Sequence, residues 1–174
     1  MDRRRAIVGT VIFFFVAPGV IVGFIPWGFT RWQLPDGVTP FVIVGAAIVL
    51  AGLAASIACF ARFALEGHGT PAPIAPTHTL ITTGLYRHVR NPMYVAVLTM
   101  LIGQTVMFLS LPVLAYAVAI WLITHMFVLG YEEPTLRIAF PDDYAEYVAN
   151  VPRWIPRLTP WKPPVAQSPA PPPG

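Results

Sequence analysis

The chain has 174 residues, of which 56% are hydrophobic and 11% charged, and its mean hydropathy is +0.64. Soluble domains carry about 25% charge, so a soluble core of this size cannot hide the apolar surface, and the composition places the chain in a membrane. The formal net charge is +3, yet the cations lie beside apolar runs and form no basic stripe, which argues against a nucleic-acid partner.

The chain opens with Met1-Asp2-Arg3-Arg4-Arg5 and an apolar stretch that continues to Trp27. That stretch outlasts a signal-peptide core and has no convincing cleavage site, so it reads as a retained anchor. Pro18-Gly19 lies within it and predicts a kink that neighbouring helices can tolerate. Further apolar segments span about 41–65, 93–109 and 111–130. Each is near the roughly 20 residues needed to cross a hydrocarbon core, the third being the shortest. Ser110-Leu111-Pro112 separates the last two and predicts a tight helical hairpin. These continuous runs lack the alternation of a membrane barrel. The single cysteine, Cys59, precludes an internal disulfide and reads as a small packing residue.

Past the fourth segment, residues 131–150 mix Leu136, Ile138, Phe140, Tyr144, Tyr147 and Val148 with charges, which predicts a cytoplasmic or interfacial helix pair broken at Pro141. The fold class expected is therefore all-α: a polytopic membrane protein with about four transmembrane helices and a cytoplasmic C-terminal helical segment. Residues 1–162 form one membrane domain in this reading. Residues 163–174, rich in Pro and Ala, form a disordered tail.

Every Lys and Arg except Arg31 falls on one side of these segments. The positive-inside rule then puts both termini and loop 66–91 in the cytoplasm, with the chain in the cell inner membrane. Trp27 and Trp32 suit the outer interface, Trp154 and Trp161 the inner one. Gly and Pro crowd residues 66–73 and predict a shaped loop. Gly67 and Gly69 make no dinucleotide fingerprint, because no strand precedes them and no third glycine follows. His68, His78 and His88 do not have metal-ligand spacing, so no metal site is expected. His125 lies inside the fourth segment, where a polar residue bonds between helices, with Gln104 and Thr105 as partners by depth.

The chemistry concentrates in Gly84-Leu85-Tyr86-Arg87-His88-Val89-Arg90-Asn91-Pro92-Met93-Tyr94 and in Glu132-Glu133-Pro134. Charges near hydrocarbon cost several kcal/mol unless paired or hydrated. Ordinary interfacial ion pairs would account for that much. Asn91-Pro92 also restricts the backbone where the third helix begins, and Pro134 does the same after the acidic pair. An arginine of this string, Arg87 or Arg90, could hold a carboxylate bidentately. Glu132 or Glu133 could accept from an ammonium or from hydroxyl groups.

Gly84, Tyr86, Arg87, Arg90, Asn91, Pro92 and Tyr94, followed by Glu132-Glu133, then Phe140-Pro141-Asp142-Asp143-Tyr144 and Val151-Pro152-Arg153-Trp154, resemble the isoprenylcysteine carboxyl methyltransferase and phospholipid methyltransferase superfamily of integral membrane enzymes. The resemblance covers about residues 67–156. It implies a methyltransferase that uses S-adenosylmethionine in a cytoplasmic-side pocket unlike the soluble Rossmann type. It further implies cofactor contacts from Asn91, Pro92, Tyr94, Glu132 and Glu133; Tyr86 of the same string, Arg87 or Arg90 for the carboxylate, and groups around His88 for the adenine complete the candidate cofactor-binding set. Arg153 is the candidate catalytic residue, anchoring an anionic acceptor or closing the site. Asn91 stands where His is frequent in the family, and an amide cannot take up a proton. The Gly-x-Gly of phospholipid methyltransferases is missing; Gly103 stands alone and reads as a site of close helix packing.

Methyl transfer from a sulfonium is an in-line displacement that asks the protein mainly for alignment and exclusion of water. The expected acceptor is a hydrophobic or amphiphilic small molecule or a lipid-modified group, entering laterally from the bilayer. Two other readings are an NADPH-dependent sterol-reductase-like oxidoreductase, for which Arg87 and Arg90 are few cations, and a non-enzymatic membrane subunit.

Overall fold

The computed structural model describes residues 18–37, 39–66 and 80–162, whose regular elements are all helical, with no strand among the described residues. The expected kink at Pro18-Gly19 and the tail 163–174 lie at or outside the limits of the described residues, as do His68 and His78. A π-helical stretch, Gly19–Phe24, leads into α1 (Ile25–Thr30). α1 stops where Arg31 turns left-handed at φ 48°, with its guanidinium 4.6 Å from the centre of the Trp27 ring.

α2 (Pro40–Glu66) and α3 (Pro92–Phe108) form the closest helix pair. Their approach is set by glycine. A Cβ built on Gly103 would fall 2.7 Å from the Val49 nitrogen, and one on Gly45 would fall 2.6 Å from the Gly103 carbonyl. Gly52 meets the Ala96 carbonyl in the same way, at 2.9 Å. The expected packing role of Gly103 is thus present, and Gly45 and Gly52 share it.

The α3–α4 connection is short for reasons visible in its residues. Leu109 adopts φ 48°, and its N–H returns to the Thr105 and Val106 carbonyls. Ser110 then caps α4 (Leu111–Phe127), its hydroxyl accepting from the Val113 N–H, with Pro112 in the first turn. Trp32 packs edge-on against Phe108 at 6.1 Å, which puts loop 31–37 at the same end of the bundle as this turn.

The helix of the fourth apolar segment continues past Gly130 into the region expected to form a helix pair broken at Pro141. It runs through a π-helical turn, Val128–Glu132, directly into α5 (Glu133–Ala139). Pro134 falls in the first turn of α5, where a missing N–H is tolerated. Glu132 and Glu133 therefore stand inside a continuous helix. The break comes at Phe140, before α6 (Pro141–Asn150). Such π-turns are frequent at functional sites, and here the turn ends at the acidic pair.

Two helices, Pro40–Arg62 and Leu111–Ala139, are long and apolar enough to cross a membrane; Gly19–Thr30 and Pro92–Phe108 are apolar but shorter. In each long helix only 17% of the apolar window is buried within the protein. Ile43, Leu50, Ile123 and Met126 all face outward. A soluble core helix would bury such residues, whereas a bilayer covers them. Inside, Val97, Met100 and Leu101 of α3 meet Ala117 of α4, and Gln104 donates to the Val22 carbonyl at 2.7 Å.

Candidate functional site

The polar end of the bundle is assembled from four pieces: the last turns of α2, the 3-10 turn Gly84–Arg87 with the loop after it, the junction of α4 and α5, and residues 151–161. Pro152, Pro156 and Pro160 keep the last of these from becoming a helix. Its carbonyls are left to find donors elsewhere. They find them on the motif loop. The Arg90 N–H donates to the Pro152 carbonyl at 2.9 Å, Arg87 Nε to that of Trp161 at 2.6 Å, and Asn91 Nδ2 to that of Arg153 at 3.2 Å. His88 Nδ1 lies 2.8 Å from the Arg157 carbonyl, and the N–H groups of Arg157 and Trp161 return bonds to the carbonyls of His88 and Arg87.

A tyrosine core supports this seam. Tyr144, Tyr147 and Val151 are buried together, with Leu80 and Trp161 against them. The Tyr147 hydroxyl donates to the Tyr86 carbonyl at 2.7 Å. Burial raises the pKa values of Tyr86, Tyr144 and Tyr147, which stay neutral hydrogen-bonding groups.

Glu133 is the hub. Its buried carboxylate accepts from Arg90 Nη1 at 2.8 Å, Arg153 Nε at 2.6 Å and Arg153 Nη2 at 3.0 Å. Two cations from distant parts of the chain therefore share one anion. The bond to Glu133 raises the Arg153 pKa and keeps the guanidinium charged. Glu132, next in the chain, points elsewhere: its Oε2 accepts from the Tyr94 hydroxyl at 3.0 Å. Within this cluster Arg90 Nε is a buried donor without a partner among the described residues, as are the hydroxyls of Thr39, Ser56 and Tyr116 elsewhere in the bundle.

The candidate residues thus separate by what their side chains touch. Arg90, Tyr94, Glu132, Glu133 and Arg153 meet across the junction of α3, α4 and α5. Arg87, His88 and Asn91 spend the polar groups named above on carbonyls of 151–161. Tyr86 is buried behind them beside Cys59 and Ile81, and Pro92 opens α3. His125 bonds neither Gln104 nor Thr105. Its Nδ1 accepts from Trp154 Nε1 at 3.0 Å, while Gln104 serves Val22 and Thr105 its own helix at Leu101. The reason is depth: the C-terminal segment folds back to the level of His125, one turn above the π-turn. In the sequence Trp154 reads as an interfacial residue and as the end of the Val151–Trp154 string; its partner lies in the fourth apolar segment, with no local spacing to signal the pair.

Two cavities adjoin the motif loop and share Leu85 and His88. One, of about 320 Å³, lies against Cys59, Arg62, Gly84 and Tyr86. The other, of about 290 Å³, lies between α2 and α3 against Gly52, Ala55, Val95 and Thr99. Its polar side chains are already engaged, Thr99 with the Val95 carbonyl and His88 with Arg157, so it suits an apolar group. Among the described residues no group of three or more His, Cys, Asp or Glu could hold a metal ion.

Residues 40–143 match the model of a family described as phospholipid methyltransferase. The chain is 31% identical over 163 residues to the cobalt-zinc-cadmium resistance protein CzcN of Cupriavidus metallidurans, covering 91% of this chain and 67% of that protein. It is 34% identical over 82 residues to protein-S-isoprenylcysteine O-methyltransferase B of Arabidopsis thaliana, covering 45% of this chain and 40% of that enzyme.

Proposed function

The chain belongs to the phospholipid methyltransferase family, and from that membership we propose that it transfers a methyl group from S-adenosylmethionine to a hydrophobic or lipid-like acceptor at the cytoplasmic face of a membrane. The proposal takes the helices at Gly19–Thr30 and Pro92–Phe108 as membrane spans beside the two longer ones. It places both termini in the cytoplasm of a cell whose inner membrane holds the protein.

The observation that carries this reading is the junction of α3 with the α4–α5 helix. Arg90 and Tyr94, from the start of α3, reach Glu133 and Glu132 within hydrogen-bonding distance. The residues fit a zwitterionic, hydroxyl-bearing cofactor. Arg90 Nε is a buried donor that lacks an acceptor, and a carboxylate satisfies such a donor. Tyr94 is the sole hydrogen-bond partner of Glu132 among the described residues, and the carboxylate retains capacity for an ammonium or for ribose hydroxyls.

S-adenosylmethionine supplies a methyl group already activated by its sulfonium. The chain's own work is to orient and to exclude water. Glu133 fixes Arg90 and Arg153 as a rigid cationic pair. Tyr94 fixes the Glu132 carboxylate. Residues 151–161 cover the motif loop through the six hydrogen bonds made by their backbone carbonyls and amides, and so shield it from water. The apolar cavity between α2 and α3 gives the tail of an acceptor a place beside the same loop.

The test uses purified protein in lipid nanodiscs, labelled S-adenosylmethionine and a lipid extract, with the labelled product then identified. Label in an organic-soluble product supports the proposal. Calorimetric titrations with S-adenosylhomocysteine and with NADPH complete it: binding of NADPH alone points to an oxidoreductase, and binding of neither by folded protein refutes cofactor use of either kind.

A further inference from the structure

We propose that residues 151–162 act as a membrane-docking strap that seats Ile155 and Leu158 in the headgroup zone of an anionic leaflet. The claim needs only that the helices sit in a bilayer and stands apart from the methyltransferase reading.

Leu158 is 97% exposed and Ile155 79% exposed. Exposed apolar residues are ordinary when scattered, but these two follow closely on Trp154, a residue type that anchors at membrane interfaces, while Trp161 beyond them packs into the tyrosine core and ties the far end of the segment to the protein. Depth is set by Trp154. Its indole bonds His125 of α4 and its ring lies 6.4 Å from that of Tyr94. Both partners belong to apolar helices, with Trp121 stacked on His125 and Leu122 and Met126 exposed beside it. Ile155 follows Trp154 directly, so the strap begins against the surface that lipid covers.

Charge selects the kind of surface. From Val151 to Lys162 the strap carries Arg153, Arg157 and Lys162 and no acidic residue. Arg153 is neutralised by Glu133; Arg157 donates to the Asn150 carbonyl at 2.7 Å, which holds the guanidinium without cancelling its charge, so Arg157 and Lys162 remain as net cations on either side of Leu158. The acids of this region, Asp142, Asp143 and Glu146, sit on α6 instead. Apolar side chains flanked by cations bind anionic lipid through both contributions. A soluble acidic partner would match the charge but would leave Ile155 and Leu158 without an apolar phase at the depth of α4. Docking also bears on the loop beneath, because the same segment holds Arg87, His88 and Asn91 by its carbonyls.

The experiment uses the full chain in nanodiscs of zwitterionic lipid alone or mixed with anionic lipid. Cys59 is buried, so a polarity-sensitive fluorophore goes to Leu158→Cys, and in a separate sample to Glu146→Cys on α6 as the hydrated reference; Thr159→Cys serves if the first variant folds poorly. The expected result is several-fold weaker iodide quenching at 158 than at 146, with quenching at 158 by lipid-borne nitroxides that strengthens in anionic discs. Lys162→Gln is expected to shrink that difference between discs. Equal iodide access at 158 and 146 overturns the proposal. Shielding at 158 without nitroxide quenching also overturns it, since protein rather than lipid would then be the cover. Equal nitroxide quenching in both discs removes the anionic preference.

Discussion

Glu133 binds Arg153 by a fork of two hydrogen bonds, Nε to Oε1 at 2.6 Å and Nη2 to Oε2 at 3.0 Å, while its Oε1 also receives Arg90. One carboxylate thus ties the C-terminal segment to the start of α3. Removing its charge leaves two guanidinium groups facing a neutral amide, one of them nearly buried. Breaking a buried pair in this way costs about 3–5 kcal/mol, with the lower end expected because Arg153 is partly hydrated. Glu133→Gln should therefore lower the thermal unfolding midpoint in detergent and weaken S-adenosylhomocysteine binding. Arg153→Lys keeps the charge but not the planar fork and should lose less than Glu133→Gln in both measurements. Unchanged stability in Glu133→Gln would exclude the hub.

Helix packing makes a second prediction. Ala at Gly103 or Gly45 places a methyl less than 3 Å from backbone atoms of the opposing helix, which cannot move aside as a side chain would. Overpacking of this kind costs about 1–3 kcal/mol. Gly130 meets nothing within 4 Å, so Gly130→Ala should be neutral or slightly stabilising. Thermal unfolding of the three variants in one detergent checks the contrast. Equal effects at Gly103 and Gly130 would mean that α2 and α3 do not approach as described.

Much of this architecture was legible beforehand, because local chemistry determines it. The Ser110-Leu111-Pro112 turn, the entry to α3 at Pro92 and the packing role of Gly103 follow from capping, ring constraint and the absence of a Cβ. The helix pair over 131–150 with its break at Pro141 was legible too; the apolar pattern alone ends at about Gly130, and ion pairs and the Tyr94 bond let one helix carry Glu132 and Glu133 across that boundary. The partner of His125 is not the one its depth suggests, since Trp154 is remote in the chain and a side-chain-to-side-chain bond has no periodic signature. The docking of 151–161 through its carbonyls was likewise hidden, although three prolines at four-residue spacing marked a segment unable to satisfy itself.

The His125–Trp154 bond can be measured as a coupling. An indole N–H only donates, so Nδ1 of His125 must be the acceptor. Trp154→Phe keeps the ring near Tyr94 and deletes the donor. His125→Ala deletes the acceptor. Both single variants should lose about 1 kcal/mol or more, and the double variant less than their sum, with a coupling of about 0.5–1.5 kcal/mol. Chemical denaturation of all four proteins in the same micelles gives the cycle. Strict additivity would mean that the contact contributes nothing.

Asn91 offers a test that separates hydrogen bonding from cofactor chemistry. Its amide Nδ2 donates to the Arg153 carbonyl from a position only 7% exposed. Asn91→Asp is nearly isosteric but replaces the donor with an acceptor, setting two oxygens against each other. The expected loss is about 1–3 kcal/mol of stability, read by thermal unfolding without any added cofactor. Wild-type stability in Asn91→Asp would show that the strap is held by other bonds.

Glu132 carries the sharpest test of the site itself. Tyr94 holds one carboxylate oxygen and no other described residue bonds the group, so in the proposed function the remaining capacity serves the cofactor. A hydrogen bond to a charged group contributes about 1.5–3 kcal/mol, which corresponds to roughly 10- to 100-fold in affinity. Glu132→Gln should weaken S-adenosylhomocysteine binding by about that factor while leaving unfolding nearly unchanged, because the amide oxygen can still accept from Tyr94. Tyr94→Phe should give a smaller loss, since it frees the carboxylate without removing it. The order of the two variants matters: a direct ligand must suffer more than the residue that positions it. A larger loss in Tyr94→Phe than in Glu132→Gln would reverse the assignment and make the phenol the contact. Wild-type affinity in both variants would take this pair out of the binding site.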